Sequence, residues 1–447
     1  MHKDTDDKLL QDARKIVSQC DRCGACLPVC PLFEARNIEA SSARGKNVIA
    51  RVLAEGGIEP TPEALAAVNF CLLCRACVET CPSKIKTDEA MINVRQYLVN
   101  KTGVTNTKYK AMGGILKFRG MVKLAAGTLA LLRKLGLNSV FPHGMVPEEY
   151  TRAHFLAAFA GPAALGRKAP PSDVTVTAAT KVAYFEGCGM RMMFPETSAE
   201  TLNILKTATR PMVKDNVCCG LPHLAHGFRD EFLALARENI RIYEDADVVV
   251  CDCASCGAAL KHITSYFAAD QQWKDLAAAF SRKVMDLTEY LVKVGYTPRQ
   301  KVEATFTYHD PCHLVRGQGI KNQPRDLLKG AGKFVEMKEA DTCCGGAGSF
   351  HMDYPDISSK ILDRKRQNIE KTGAAIVVTG CPGCLIQLTK AAKPAEAEEF
   401  PQGFRKSQTH LLGIGGEIQI LHILCCGGQF FCTKPAQHPP GQRTEAG

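Results

Sequence analysis

Eighteen of the twenty-two cysteines in this 447-residue chain fall into four ordered sets. The first reads Cys20-x2-Cys23-x2-Cys26-x3-Cys30 followed by Pro31, and the second repeats it as Cys71-x2-Cys74-x2-Cys77-x3-Cys81 followed by Pro82. Two looser sets come later, each a lone cysteine, a Cys-Cys-Gly and a Cys-x-x-Cys. Thiolates are soft ligands that select iron–sulfur clusters, zinc or copper(I), and the C-x2-C-x2-C-x3-C-P run usually holds the first of these. Paired zinc sites are the rival, but four close cysteines ending in Pro, twice over, fit zinc poorly. The spacing points to electron transport through iron–sulfur clusters.

In two-cluster ferredoxins with this run, three close cysteines bind three irons of one cubane, and the fourth ligates the other cluster. On that pattern Cys20, Cys23, Cys26 and Cys81 hold one [4Fe-4S] cubane, and Cys71, Cys74, Cys77 and Cys30 hold the second. The later sets have five cysteines each: Cys188, Cys218, Cys219, Cys253 and Cys256, then Cys312, Cys343, Cys344, Cys381 and Cys384. Adjacent cysteines fit one small tetrahedral ion badly, yet they can reach neighbouring irons of a cluster. The glycine after each pair allows close backbone approach. A zinc site or empty thiols stay open as the alternative for these two sets.

Apolar content of 45% and charged content of 23% are ordinary for a soluble globular chain, and the length suits several domains. The polar N-terminus gives no secretory signal, and no apolar stretch is long enough to span a bilayer. A cytoplasmic location follows, in which so many cysteines bind metal rather than form disulfides. The formal charge of +10 is uneven: from Ala90 to Pro147 there is no Asp or Glu. Arg95, Lys101, Lys117, Arg119, Lys123, Arg133 and Lys134 lie there among apolar residues. Such a stretch reads either as a peripheral docking element for the inner face of the cell membrane or a partner, or as a helical connector. No nucleic-acid-binding module accompanies it.

Helical periodicity is expected over residues 5–19, 43–54 and 62–68, so the first domain reads as an α-helical ferredoxin rather than one built of short strands. From Lys181 the chain repeats itself. Val182–Cys188 matches Thr305–Cys312, and Val217-Cys218-Cys219-Gly220 matches Thr342-Cys343-Cys344-Gly345. Charged helical stretches over 230–243 and 357–371 lead to apolar strands over 247–251 and 375–379. Each strand runs into a Cys-x-x-Cys. Two α/β lobes with parallel pairing follow, their cysteines at strand C-terminal ends. The fold class is therefore α+β and multidomain. Its expected parts are a helical two-cluster domain over 1–100, a basic connector over 101–175, repeated lobes over 176–298 and 299–393, and a tail over 394–447. Cys251 aligns with Thr379 and reads as a core strand residue. The tail carries Cys425, Cys426 and Cys432 without a Cys-x-x-Cys; it is expected to be disordered and is assigned no function.

Both five-cysteine sets resemble the CCG domain of heterodisulfide reductases and of the iron–sulfur subunits of glycolate- and lactate-oxidising complexes. In the reductases such sets hold non-cubane [4Fe-4S] clusters, so the resemblance implies one or two of these beside the two cubanes. Residues 1–390 resemble the glycolate oxidase iron–sulfur subunit family. Ser42-Ala43-Arg44-Gly45-Lys46 stands where that family keeps Ser-Pro-Arg-Gly-Arg, and the proline is missing. His223, His226, His309, His313 and His351 lie close to the Cys-Cys-Gly cysteines. They read as hydrogen-bond donors to cluster sulfurs or as ordinary loop histidines.

No G-x-G-x-x-G follows a strand and no P-loop occurs, so no flavin is expected in this chain and no catalytic residue is assigned. The resemblance then implies an oxidoreductase subunit without dehydrogenase activity of its own. An FAD-binding dehydrogenase subunit would oxidise glycolate or D-lactate, and electrons would pass through this chain to quinone or another carrier. The rivals are a heterodisulfide-reductase-type catalytic subunit and a zinc-stabilised scaffold.

Overall fold

The structure is a computed structural model that describes residues 2–104, 109–110, 113–114, 180–268, 270–298, 301–390 and 419–422. Most of the basic stretch, the Pro/Ala-rich segment after it, Cys425, Cys426 and Cys432 lie outside the described residues.

The N-terminal region is helical: α1 (His2–Ser18), α2 (Pro31–Arg36), α3 (Ala43–Ala54), α4 (Pro62–Asn69), α5 (Ala76–Thr80) and α6 (Thr87–Thr102). Leu10, Ala13 and Val17 of α1 bury against Ala50 and Leu53 of α3 and Val94 and Leu98 of α6. Ser42 caps α3 by accepting the Gly45 N–H at 3.1 Å. Ala43 then stands at the first helical position. A proline there would add only a preset φ, which explains why the turn survives its loss. Gly45 is required: a Cβ there would stand 2.4 Å from the Glu39 carbonyl oxygen.

Each lobe holds a four-stranded, all-parallel sheet. The first lobe has β1 (Val182–Phe185), β2 (Met212–Val213), β3 (Val248–Cys251) and β4 (Val284–Asp286), in the order β2-β1-β3-β4. The second has β5 (Val302–His309), β6 (Gly332–Phe334), β7 (Ile376–Thr379) and β8 (Gln419–His422), in the order β6-β5-β7-β8. Strands β1 and β7 are buried along their whole length, as parallel strands covered on both faces are. The chain leaves the central pair in opposite directions, which opens a crevice at its C-terminal ends. Cys188 and Cys253 follow β1 and β3 there, and Cys312 and Cys381 follow β5 and β7.

Two features depart from the sequence expectation. The edge strands β2, β4 and β6 have no counterpart in it, because two or three residues carry no periodicity. Residues 419–422, inside the tail expected to be disordered, pair in parallel with β7 as Ile376↔Gln419 through Thr379↔His422. The short apolar run Ile420-Leu421 supplies the edge that β4 supplies in the first lobe.

The helical region is bolted to both lobes. Fully buried Arg95 of α6 donates to the carbonyls of Val68 (3.1 Å), Asn69 (3.2 Å), Cys71 (2.8 Å) and Ala225 (2.7 Å). Phe70 packs against Phe350 and Tyr354 of the second lobe, with ring centroids 5.6 and 4.9 Å away. Arg95→Ala leaves four carbonyls without that donor. It is expected to cost on the order of 3 kcal/mol in chemical denaturation, and Arg95→Lys most of the same, because an ammonium cannot span the four. A midpoint unchanged in both variants would refute this reading of the joint.

Candidate metal centres

The first cysteine run forms the loop between α1 and α2 and folds back over the start of α3. Arg22 (φ 56°) and Gly24 (φ 87°) turn the chain between the cysteines of the first run. Leu73 (φ 53°) and Arg75 (φ 63°) do the same in the second run. Non-glycine residues rarely hold such angles, and both cysteine loops use them. A cavity at the first loop is lined by Cys20, Cys23, Cys26, Cys77 and Cys81, together with Arg44 and Asn47. The fourth cysteine of the second run thus faces the three of the first. Asn47 Nδ2 lies 3.7 Å from Cys20 Sγ, and Arg44 reaches over the loop to the Arg22 carbonyl at 3.1 Å.

Cys30 packs against the same apolar cluster as Cys74 of the second run, and its thiol acts electrostatically on Cys26 of the first run as well as on Cys77 of the second. Burial pushes the Cys77 thiol well up, and Cys74, Cys71 and Cys30 act on it in the same direction. The ammonium of buried Lys46 donates to the Ser41 carbonyl. Burial lowers its pKa, while nearby Cys71, Cys30 and Cys77 hold it up. The Arg-Gly-Lys turn therefore sets Arg44 beside the first group of thiols and Lys46 beside the second. The turn was legible in the sequence, but this division of its two cations was not.

In the lobes the glycine of each Cys-Cys-Gly has a left-handed backbone, φ 82° at Gly220 and 85° at Gly345. Each donates its N–H to the first cysteine of its pair at 3.4 Å. A Cβ would stand 2.7 Å from the Phe232 ring at Gly220 and 2.8 Å from the Ser358 carbonyl at Gly345. The glycines therefore let each pair press against the following helix.

The ten lobe thiols form one row. Cys188 Sγ lies 3.7 Å from Cys218 Sγ, and Cys219 touches Cys256. In the second lobe Cys312 touches Cys343, and Cys344 touches Cys384. Across the seam Cys253 meets Cys381, and the Ala254 N–H donates to the Gly380 carbonyl at 3.0 Å. Cys74 of the helical region acts electrostatically on Cys312, and Cys343 on Cys74. Cys74 packs against the apolar cluster that holds Cys343, which brings the second run beside the thiols of the second lobe.

None of the described cysteines is in a disulfide. Burial pushes the Cys74 thiol up from the ordinary range, and hydrogen bonds to the neighbouring thiols Cys218, Cys219 and Cys344, followed by burial, do the same to Cys188, Cys256 and Cys384. Cys219, Cys343 and Cys381 are pulled down instead by the neighbouring thiols that donate to them, and a dense, soft, all-sulfur set of this kind fits iron–sulfur clusters. Cys251 is fully buried in β3, its thiol directed at the Cys253 carbonyl at 3.5 Å.

The five histidines divide. His223 Nε2 lies 3.0 Å from the Gly113 carbonyl, and His226 Nε2 lies 2.8 Å from Ser349 Oγ. His351 Nδ1 lies 3.4 Å from the Gly346 carbonyl. His313 Nδ1 is 3.1 Å from Ser255 Oγ, which is itself 3.3 Å from Cys381 Sγ, so this pair sits at the seam. Ser255 has no counterpart in the sequence reading. His309 is fully buried, and neither ring nitrogen has a hydrogen bond of normal geometry.

A 4Fe-4S dicluster domain matches residues 16–85, and a cysteine-rich domain matches twice, at 182–261 and 306–389. The chain is 32% identical to the probable glycolate oxidase iron-sulfur subunit of Bacillus subtilis, across 83% of this chain and 87% of that protein. The chain belongs to the glycolate oxidase iron–sulfur subunit family. The Escherichia coli glycolate oxidase iron-sulfur subunit is 24% identical across 86% of this chain and 92% of its own length. One subunit of the Methanothermobacter marburgensis fumarate reductase (CoM/CoB) is 25% identical, across 85% of this chain and 68% of its own length. The family's order of parts, a helical ferredoxin domain and then two cysteine-rich lobes, is the order found here. No helix among the described residues is long and apolar enough to cross a membrane.

Proposed function

We propose that this chain is the electron-transferring subunit of a flavoprotein complex that oxidises a 2-hydroxy acid, glycolate or D-lactate. The observation that carries the reading is the adjacency of its cysteine groups: Cys77 and Cys81 line the Cys20 cavity, Cys74 packs against the cluster that holds Cys343, and the Cys253 and Cys381 loops are joined by the Ala254–Gly380 hydrogen bond. The relatives named as glycolate oxidase iron-sulfur subunits support it, as do the lactate utilization proteins A, which match at 29% identity over 46% of this chain. Iron–sulfur clusters, when bound, supply one-electron transfer, which suits a chain between a two-electron flavin and a separate acceptor.

In this reading Cys20, Cys23, Cys26 and Cys81 hold one cubane, and Cys71, Cys74, Cys77 and Cys30 the other. The two five-cysteine sets hold further, non-cubane clusters. Arg44 and Lys46 set a positive charge beside each cubane site, which favours the reduced state of whatever binds there. An FAD-binding subunit is the donor partner. Quinone or another carrier is the acceptor, reached by peripheral contact through the basic stretch on the inner face of the cell membrane.

A second reading, reduction of a disulfide at the lobe seam, draws on the Cys253–Cys381 contact with Ser255 and His313 beside it. The two separate by assay. The anaerobically purified chain is expected to carry no flavin and to leave glycolate and D-lactate unoxidised with an artificial dye. Adding the flavin subunit should restore dye reduction. Turnover by the chain alone would overturn the electron-carrier reading, and reduction of a disulfide substrate by the chain with dithionite as the two-electron donor would establish the second.

A further inference from the structure

The two lobes repeat the order of their cysteines, but the residue at the end of the first central strand differs in kind between them. Phe185 ends β1 and pairs in register with Cys251, three residues before Cys188. His309 ends β5 and pairs with Thr379, three residues before Cys312. The same place in the fold thus holds a phenyl ring in one lobe and an imidazole in the other.

The imidazole is fully enclosed, at 0% exposure. A donor atom of its ring, Cys344 Sγ and Cys384 Sγ all lie within 4.8 Å of one another. The Ala340 carbonyl is beside the ring, but it already accepts the Asp310 N–H at 3.0 Å and the Lys365 ammonium at 3.2 Å. The ring's polarity is therefore unused by the protein around it. A buried polar group without a partner is destabilising, and Phe185 shows that the fold accepts a hydrocarbon at this place. An imidazole beside two thiols, with an oversubscribed carbonyl as its other neighbour, has the surroundings of a metal-bound histidine, whose second nitrogen commonly points at a backbone carbonyl.

We propose that His309 is a nitrogen ligand of the metal centre in the second lobe, alongside Cys344 and Cys384. The two lobes therefore hold chemically unequal centres. The proposal rests on the reading that the five-cysteine sets bind metal. The first lobe's centre has sulfur donors only, whereas the second has one imidazole.

The test uses the full chain, purified anaerobically with 15N-labelled histidine, partly reduced, and examined by pulsed paramagnetic resonance beside iron and zinc analysis. The expected result is a strong histidine-nitrogen coupling that persists in His313→Gln and is lost in His309→Phe. The latter variant copies the first lobe, and its metal content should otherwise hold. A wild-type spectrum without directly bound nitrogen, or a coupling that survives His309→Phe, overturns the proposal while leaving the cluster reading intact. Iron confined to two cubanes, with zinc in the lobes, defeats the cluster reading instead. Zinc-edge absorption then decides His309: a nitrogen lost in His309→Phe supports the ligand, and an all-sulfur shell overturns it. Lobes without any metal overturn both.

Discussion

Cys81→Ser is expected to abolish the paramagnetic signal of the centre built by Cys20, Cys23 and Cys26, and to spare the one built by Cys71, Cys74 and Cys77. In sequence Cys81 belongs to the second run. In space it lines the cavity of the first, across from Cys20 and Cys23. Cys30 shows the converse, since its thiol lies with Ser41 and acts on Cys77. Cys30→Ser should therefore damage the second centre. A serine oxygen is a harder and poorer ligand for iron, so the expected effect is near-complete loss of one centre rather than a shift. Reduced spectra of the two variants, compared with wild type, decide the matter. Loss of the centre within the mutated run in both cases would refute the crossed pairing.

The second large effect concerns the lobes. Anaerobically purified protein is expected to contain iron beyond that of two cubanes. Cys219→Ser and Cys344→Ser should each remove one share of the excess. Both cysteines are buried and lie inside the thiol row, Cys219 against Cys256 and Cys344 against Cys384. Neither lines the Cys20 cavity, so the signals of the helical domain should remain. Electron passage from a reconstituted flavin subunit to an artificial acceptor should fail. Rows of free thiols would be an oxidation liability with no packing benefit that smaller residues could not supply. An iron content that stays at two cubanes, with zinc making up the rest, would sink this prediction.

The elements that sequence reveals here are those whose constraints are local. Each ferredoxin-type run is a short local segment, the first a loop and the second a loop leading into α5, so its spacing survives intact in the sequence. The two lobes show through because Cys-Cys-Gly and Cys-x-x-Cys recur in the same order after matching strands. Helix α3 runs from Ala43 to Ala54, as its periodicity indicates, because both ends are set by nearby residues. What stayed hidden depends on distance or on brevity. Cys253 and Cys381 meet only because the lobes pack seam to seam, and His262 reaches the Gly317 carbonyl at 2.6 Å across the same seam. Strands as short as Met212–Val213 leave no pattern to read. Arg95 reads in sequence as one more member of a basic stretch, whereas the fold buries it and directs its donors at carbonyls. Composition counts charges but does not say which ones face water.

The position of β8 adds a matter of timing. The first lobe closes its sheet with Val284–Asp286, after β3 ends at Cys251. The second lobe finishes β7 at Thr379 but takes its last strand from Gln419–His422, beyond a longer intervening segment. Chains emerge from the ribosome N-terminus first, and domains fold as units when their parts are present. The first lobe is therefore complete while the second still has an open edge beside Val377 and Val378. During that interval Cys381 and Cys384 sit at the head of a sheet whose edge beside β7 is still open. The hazard of oxidation during synthesis falls on one end of the molecule, and metal delivered to the nascent chain meets finished sites in the order in which they were made.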